Sequence, residues 1–263
     1  MMENTYWQKQ NKDKPLFPDL LWSRPENKRL AGKLLIIGGN KFNFSAPGQA
    51  YEAAVKAGIG VAKVLMPDAL KKTIGSVLEN CEFAPTNKSG SFARTALDAW
   101  LEWAMWSDHV LLAGDVGRNS ETAIVLEKFI QKYSGPLTIT QDCLDQFRSN
   151  PKGLFSRPNT TIVASFSQLQ KAWPHIIENN EEVIRYGLPL QKNIELIHDI
   201  SKKLPVSIVV KHNDELIVAV NGDISTTPIT DSVWRVKTAA SISVWQLQNP
   251  DHTFQAITTA LHE

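Results

Sequence analysis

Four short stretches carry residue types that do chemistry. Gly38-Gly39-Asn40 ends an apolar run and precedes a helix-like segment. Leu111-Leu112-Ala113-Gly114-Asp115-Val116-Gly117-Arg118-Asn119 repeats that arrangement. Glycines at such places let backbone N–H groups approach an anion, and a helix N-terminus adds partial positive charge. Both turns are therefore candidate phosphate sites: Gly38, Gly39 and Asn40 in the first, and Gly114, Asp115, Gly117 and Arg118 in the second, where the guanidinium pairs with phosphate. A tight turn with no ligand is the open alternative for the first. In the second, Asn119 or Ser120 as a helix cap with Arg118 solvated is the favoured alternative for those side chains. Asp142 follows the run Leu137–Ile139 and suits metal or base work, or caps the next helix. Lys211, at the end of Ser207–Val210, reaches a nucleotide phosphate or is an ordinary strand-end charge.

The elements around these stretches follow from periodicity. Leu34–Ile37 is a short unbroken apolar run, the pattern of a strand buried on both faces. From Ala46 to Ala57, residues Ala50, Ala53, Ala54 and Ala57 recur at helical spacing, and Gly58 and Gly60 end the helix. Val61–Leu65 is the next strand. Strand and helix signals then alternate: a helix from Pro67 to about Val77, an amphipathic aromatic stretch from Ser91 to Trp106 and a strand at His109–Ala113. A helix at Glu121–Tyr133 and strands at Leu137–Thr140, Thr161–Ala164 and Val206–Val210 follow, with two helices between Phe166 and Leu204. This order predicts a parallel sheet with helices on both faces. Asn221-Gly222 between Glu215–Val220 and Asp223–Thr227 predicts a hairpin and an antiparallel edge. Helices at Ser232–Gln248 and Thr253–His262 close the chain. Residues 1–29, with Pro15, Pro18 and Pro25, are expected to form an arm or short helix packed on the domain 30–263 and pinned by Trp7, Phe17, Leu20, Leu21 and Trp22.

Composition narrows the classes. With 263 residues, 43% hydrophobic, 21% charged and a net charge of +1, the chain can bury a full core and carries no basic stripe for nucleic acid. No apolar run approaches about 18 residues, so no membrane partner is expected. Cys81 and Cys143 are too few for a disulfide scaffold or paired zinc ligands, and the six histidines have no metal-ligand spacing. No resident metal is expected, and a cytoplasmic location is. Homo-oligomerisation is left open.

In their order, these pieces resemble the ADP/ATP-dependent NAD(P)H-hydrate dehydratases of the ribokinase-like superfamily. Arg24–Lys28, Gly32-Lys33, Leu35–Asn40, Ala46 and Ala57–Gly60 are similar to that family's opening lysine, G-x-vliiGGS strand and A-x-x-aGaG helix. Ala113–Arg118 is similar to its G-P-G-L-G-R turn, Leu137–Leu144 to its DADxL strand, Val209–His212 to its vvlKG strand, and Ala256–His262 to its closing helix. The resemblance implies a three-layer α/β/α sandwich with a mainly parallel sheet. It implies ADP or ATP with Mg2+, an NAD(P)H-type dinucleotide as substrate, and repair of hydrated NADH or NADPH by phosphorylation and phosphate elimination.

Departures from the pattern bear on activity. DAD is Thr140-Gln141-Asp142 here, TPHxxE is Ala164–Leu169, and His212 replaces the glycine after Lys211, where its side chain is expected to crowd a close backbone approach to phosphate. The family's GxGD turn, with its base, is replaced by Pro228–Arg235, and there is no glycine from Asp223 to Glu263. Asp231 is the candidate displaced base beside Asp142, with helix capping as the favoured alternative. Alignment back from the C-terminus puts Trp234 or Arg235 at the base position. Three functions are compatible: a divergent dehydratase, a non-catalytic descendant that binds a nucleotide or dinucleotide or serves in an assembly, and a small-molecule kinase with a changed acceptor pocket.

Overall fold

The computed structural model describes residues 6–11, 13–74, 80–177, 182–229 and 234–262. Strands β1 (Trp7–Lys9), β2 (Lys33–Gly38), β3 (Val61–Pro67), β4 (Cys81–Ala84), β5 (His109–Gly114), β6 (Leu137–Thr140), β7 (Thr160–Ser165), β8 (Val206–His212), β9 (Glu215–Val220) and β10 (Asp223–Pro228) form one sheet. Their spatial order is β1-β10-β9-β8-β7-β6-β5-β2-β3-β4. β9 pairs antiparallel with both β8 and β10, and the other pairings are parallel. The carboxyl ends of β2, β5, β6, β7, β8 and β10 therefore share one end of the sheet, where open α/β sheets hold ligands.

Eleven α-helices are described: α1 (Pro18–Leu21), α2 (Ser45–Lys56), α3 (Lys71–Ile74), α4 (Ala96–Trp106), α5 (Ser120–Lys132), α6 (Asp142–Asp145), α7 (Pro151–Phe155), α8 (Phe166–Ile176), α9 (Leu190–Ser201), α10 (Arg235–Gln248) and α11 (Thr253–Ala260). They form two layers because the central strands are apolar on both faces. In β2, Leu35 and Ile37 belong to one core with Trp100, Phe129, Phe166 and Ile194 of α4, α5, α8 and α9. Leu34 and Ile36 belong to the other, with Ala50, Ala240 and Ile257 of α2, α10 and α11. Small side chains decide how close that second layer lies: Ala50 and Ala54 of α2 and Ala239 and Ala240 of α10 are fully buried, and the two helices pack together. This is the expected three-layer sandwich with its antiparallel hairpin.

Several elements differ from expectation. The arm is part of the sheet: β1 pairs with β10 through Trp7↔Ile224 and takes the outermost position beyond the hairpin. Phe17, Leu20 and Leu21 pack on the α2/α10/α11 core, and Phe17 meets Phe254 edge to face. Trp22 pins nothing, at 89% exposure. The segment after Pro67 is a 3₁₀ turn at Asp68–Leu70 and the four-residue α3, with 75–79 outside the described residues. The aromatic stretch becomes helical only at Ala96, since Thr86 and Phe92 first form an isolated bridge. β4 and α7 are additional elements. Among the described residues no helix is long and apolar enough to cross a membrane.

Candidate functional site

The two glycine turns meet each other before they meet any ligand. Gly38 pairs with Gly114 across a register shift, and the Gly39 N–H donates to the Gly114 carbonyl at 2.9 Å. A Cβ on Gly38 would stand 2.4 Å from that same carbonyl oxygen. Gly114, at φ 110°, approaches the third loop as closely, since a Cβ there would lie 2.4 Å from Cβ of Gln141. Glycine is required at Gly38 by backbone packed on backbone, and at Gly114 by its positive φ and the Gln141 side chain packed against it.

The amides of the first turn are then taken up locally. Asn40 N–H donates to the Asn43 carbonyl and Lys41 N–H to the Gly90 carbonyl, both at 2.8 Å. Asn40 Oδ1 accepts from Phe42 N–H at 2.8 Å, and its Nδ2 donates to the Asp115 carbonyl at 2.6 Å. Asn40 is thus the clasp of its own turn and its tie to the second one.

Asp115 crosses the gap in the other direction. α2 has no side-chain cap of its own at Phe44. Asp115 supplies one from the turn that follows β5: Oδ2 accepts from Ala46 N–H at 2.7 Å and Oδ1 from Asn43 Nδ2 at 2.9 Å. Burial raises its pKa above the ordinary carboxylate value, the Ala46 N–H pulls it down, and the charge of Asp142 raises it. Asp115 and Gln141 hold φ of 58° and 56°, so two strained non-glycine residues stand side by side at this end of the sheet.

Asp142 fills the second turn. Its Oδ2 accepts from Gly117 N–H at 2.9 Å, its Oδ1 faces Val116 N–H at 3.4 Å, and Gln146 Nε2 holds the Gly117 carbonyl at 2.9 Å. Successive amides in such a turn make an anion-binding concavity, and here the anion is a carboxylate of the chain itself. Arg118 beyond it is exposed. Asn119 caps α5, its Oδ1 accepting from Glu121 and Thr122.

From Asp142 the network continues across the sheet. Gln168 Nε2 donates to the Gln141 carbonyl at 2.8 Å and to Asp145 Oδ1 at 3.3 Å. Gln168 Oε1 accepts from Ser165 N–H at 3.1 Å and from Arg235 Nη1, at the start of α10, at 3.1 Å. Ser165 and Gln168 form a capping box on α8, and Ser165 pairs in register with Lys211. Burial lowers the Arg235 pKa, against the charges of Asp145 and then Asp142, which raise it. Trp234 beside it is buried in the α2/α10 core. Hydrogen bonds and the short chain segments 115–117 and 141–142 together make one ridge from the first turn through Asp115, Asp142 and Gln168 to Arg235, with Lys211 in register beside Ser165. Asp231 lies outside the described residues.

Gln168 carries no site signal in the sequence beyond the capping-box spacing of Ser165-x-x-Gln168, whereas Arg235 is one of the two residues that alignment from the C-terminus puts at the base position. The His212 ring turns inward: it is buried, edge-on to Phe166, stacked with half-exposed Tyr186 and 3.2 Å from Asn193 Nδ2. Burial lowers its pKa, opposed by a backbone hydrogen bond at Tyr186.

A groove of about 600 Å³ adjoins the ridge between α2 and α10, lined by Gln49, Glu52, Lys56, Thr227, Lys237 and Ser241. Its volume is in the range of small-molecule sites. Gln49 and Ser45 share a 2.9 Å hydrogen bond, so the groove begins one helical turn from the Asp115 cap. The described residues do not fit a resident Mg2+ site. Both carboxylate oxygens of Asp115 and of Asp142 face N–H donors, and among the described residues no group of three or more His, Cys, Asp or Glu is placed to hold a metal ion.

No family model matches the chain. A bifunctional NAD(P)H-hydrate repair enzyme of Methanocaldococcus jannaschii is 32% identical over 117 residues, 43% of this chain and 22% of that protein. Its counterpart in Methanothermobacter thermautotrophicus is 29% identical over 116 residues, again 43% and 22%. The match therefore spans only about a fifth of the length of these curated relatives. Among solved structures, a ribokinase-like superfamily protein from Enterococcus faecalis superposes with a TM-score of 0.73 at 16% identity, over 100% of this chain and 87% of that one. An ADP/ATP-dependent NAD(P)H-hydrate dehydratase from Bacillus subtilis, co-crystallised with ATP and Mg2+, gives 0.57 at 14% identity, over 94% and 86%. The fold is ribokinase-like, and the curated relatives are NAD(P)H-hydrate repair enzymes, in keeping with the motif resemblance.

Proposed function

We propose that this protein binds a nucleotide or dinucleotide at the carboxyl end of its sheet and in the adjoining α2/α10 groove, without transferring a phosphoryl group. One observation carries the second half of that reading: the amides that would cradle a transferring phosphate are engaged by the chain's own groups, Gly39 by Gly114, Asn40 by Asn43, and Gly117 by Asp142. Phosphoryl transfer depends on donors preorganised at the developing charge, and loss of one such donor typically costs on the order of 100- to 1,000-fold in rate. Arg235, paired with Gln168, stands at the start of α10, where the family's glycine turn and base are replaced.

Binding is supported by different features. The groove has room for a nucleotide, Lys56 and Lys237 flank it, and Lys211 and Arg118 add positive charge at the same end of the sheet. The Bacillus subtilis neighbour was crystallised with ATP. A second reading, retained dehydratase activity, is favoured by the identity to the archaeal repair enzymes.

Incubation with hydrated NADH and ADP or ATP separates the two. The expected result is no recovery of NADH absorbance above the no-protein control, while ATP, ADP, NAD or NADH raises the melting temperature. A ligand at about 100 times its Kd adds roughly 2.7 kcal/mol of stability. A rate above the control overturns the non-catalytic reading, and absence of a shift with all four ligands overturns the binding one.

A further inference from the structure

We infer that Asp142 is a built-in occupant of the anion position of the second glycine turn and thereby sets the specificity of the cleft: the part of a ligand facing Gly117 carries no phosphate. The inference rests on the cleft being the ligand site, as proposed above. Gly117, at φ 73°, turns its N–H toward Asp142 Oδ2 at 2.9 Å, and Val116 N–H faces Oδ1 at 3.4 Å. A carboxylate held by two successive amides is the arrangement a phosphate would need, already filled. Asp115 does the same for the first turn of α2 through Ala46 N–H at 2.7 Å. The two charges sense one another, since Asp142 raises the Asp115 pKa.

A phosphate arriving here meets two carboxylates and no free amide at Gly39, Asn40 or Gly117. Like charges brought together at a binding surface cost enough to exclude the wrong partner. What the carboxylates retain is capacity to accept further hydrogen bonds, because each ionised oxygen has more than one lone-pair direction. The matching chemistry is a neutral, donor-rich group: the hydroxyls of a ribose or the N–H of a carboxamide. Any phosphate of the same ligand is directed away from this turn, toward exposed Arg118 or the lysines of the groove.

Inorganic phosphate is the probe, titrated into the wild-type protein, Asp142→Asn and Asp142→Ala, with the Gly117 amide resonance and the melting temperature as readouts. In the wild type, the Gly117 amide is expected not to respond to phosphate. Asp142→Ala vacates the turn and is expected to gain phosphate affinity by about tenfold or more, with the isosteric Asp142→Asn, which removes only the charge, gaining less. A phosphate response at Gly117 in the wild type overturns the inference, as does the absence of any gain in both folded variants. If neither variant folds, the wild-type amide still decides. Because this probe contains no nucleoside, failure of nucleotides to bind the wild type would overturn the proposed function without touching this result.

Discussion

Replacing Gly38 with alanine tests why the first glycine turn exists. The new Cβ would stand 2.4 Å from the Gly114 carbonyl oxygen, against an ordinary contact of 3.4 Å or more, so β2 and β5 must part by about 1 Å at their carboxyl ends. The same shift stretches the 2.9 Å bond from Gly39 N–H to Gly114 beyond hydrogen-bond range, a loss of about 1 kcal/mol. Forcing extra volume into a packed region adds about 1 to 3 kcal/mol. Gly38→Ala is therefore expected to destabilise the ligand-free protein by roughly 2 to 4 kcal/mol, lowering Tm by about 4 to 7 °C for a chain of this size. Gly48→Ala is the matched control: Gly48 lies inside α2 with nothing within 4 Å of the added Cβ, and it should gain roughly 0.5 to 1 kcal/mol. Urea and thermal unfolding without ligand measure both. If Gly38→Ala retains wild-type stability and loses only ligand binding, the glycine serves a ligand's approach and the backbone-packing argument is wrong.

Two further outcomes are expected. His109 is fully buried beside Thr138, and burial, aided by the Arg157 charge, lowers its pKa from 6.5 to about 3. The unfolded chain binds this proton first, so the stability His109 contributes is complete above pH 6.5 and is lost as pH falls toward 3, at up to about 1.4 kcal/mol per pH unit. Urea unfolding of wild type and His109→Gln between about pH 7 and pH 5 should show the steeper acid loss in the wild type, and equal slopes would refute the assignment. Arg157 donates to the carbonyls of Ile130, Tyr133, Gly135 and Pro158 and to the Thr160 hydroxyl. Arg157→Ala should cost about 3 kcal/mol or more by leaving those acceptors unpaired, and Arg157→Lys should not restore it, because one ammonium cannot reproduce the fork. A Lys variant as stable as wild type in chemical denaturation would count against that geometry.

The fold was legible where short-range pattern and tertiary demand agree. Leu34–Ile37 reads as a strand because every residue is buried, on alternating faces. Asn221-Gly222 reads as a hairpin because both residues take positive φ in the structure, as that turn requires. β4 was illegible because its four residues, Cys-Glu-Phe-Ala, are too short to show a period and are fixed as a strand by pairing with β3. β1 was illegible for the same reason: its partner, β10, lies more than two hundred residues away, and nothing local in Trp7–Lys9 names it. Trp22 is exposed because it follows the four-residue helix α1, and a large apolar side chain at such an end need not be buried.

The site divides along the same line. Sequence alone determined which residues sit at the strand ends, that Asn119 can cap α5, and that Thr140-Gln141-Asp142 and Pro228–Arg235 differ from the motifs of the family the chain resembles. Those are statements about neighbours along the chain, set by steric freedom and local hydrogen bonding. Only the tertiary structure decided which groups pair with the amides of the second turn and of α2. Asp115 reaches Ala46 across 69 residues, and Asp142 reaches Gly117 across 25. Both meetings exist because the sheet order sets β5 between β2 and β6, bringing three loops into contact that no local pattern joins.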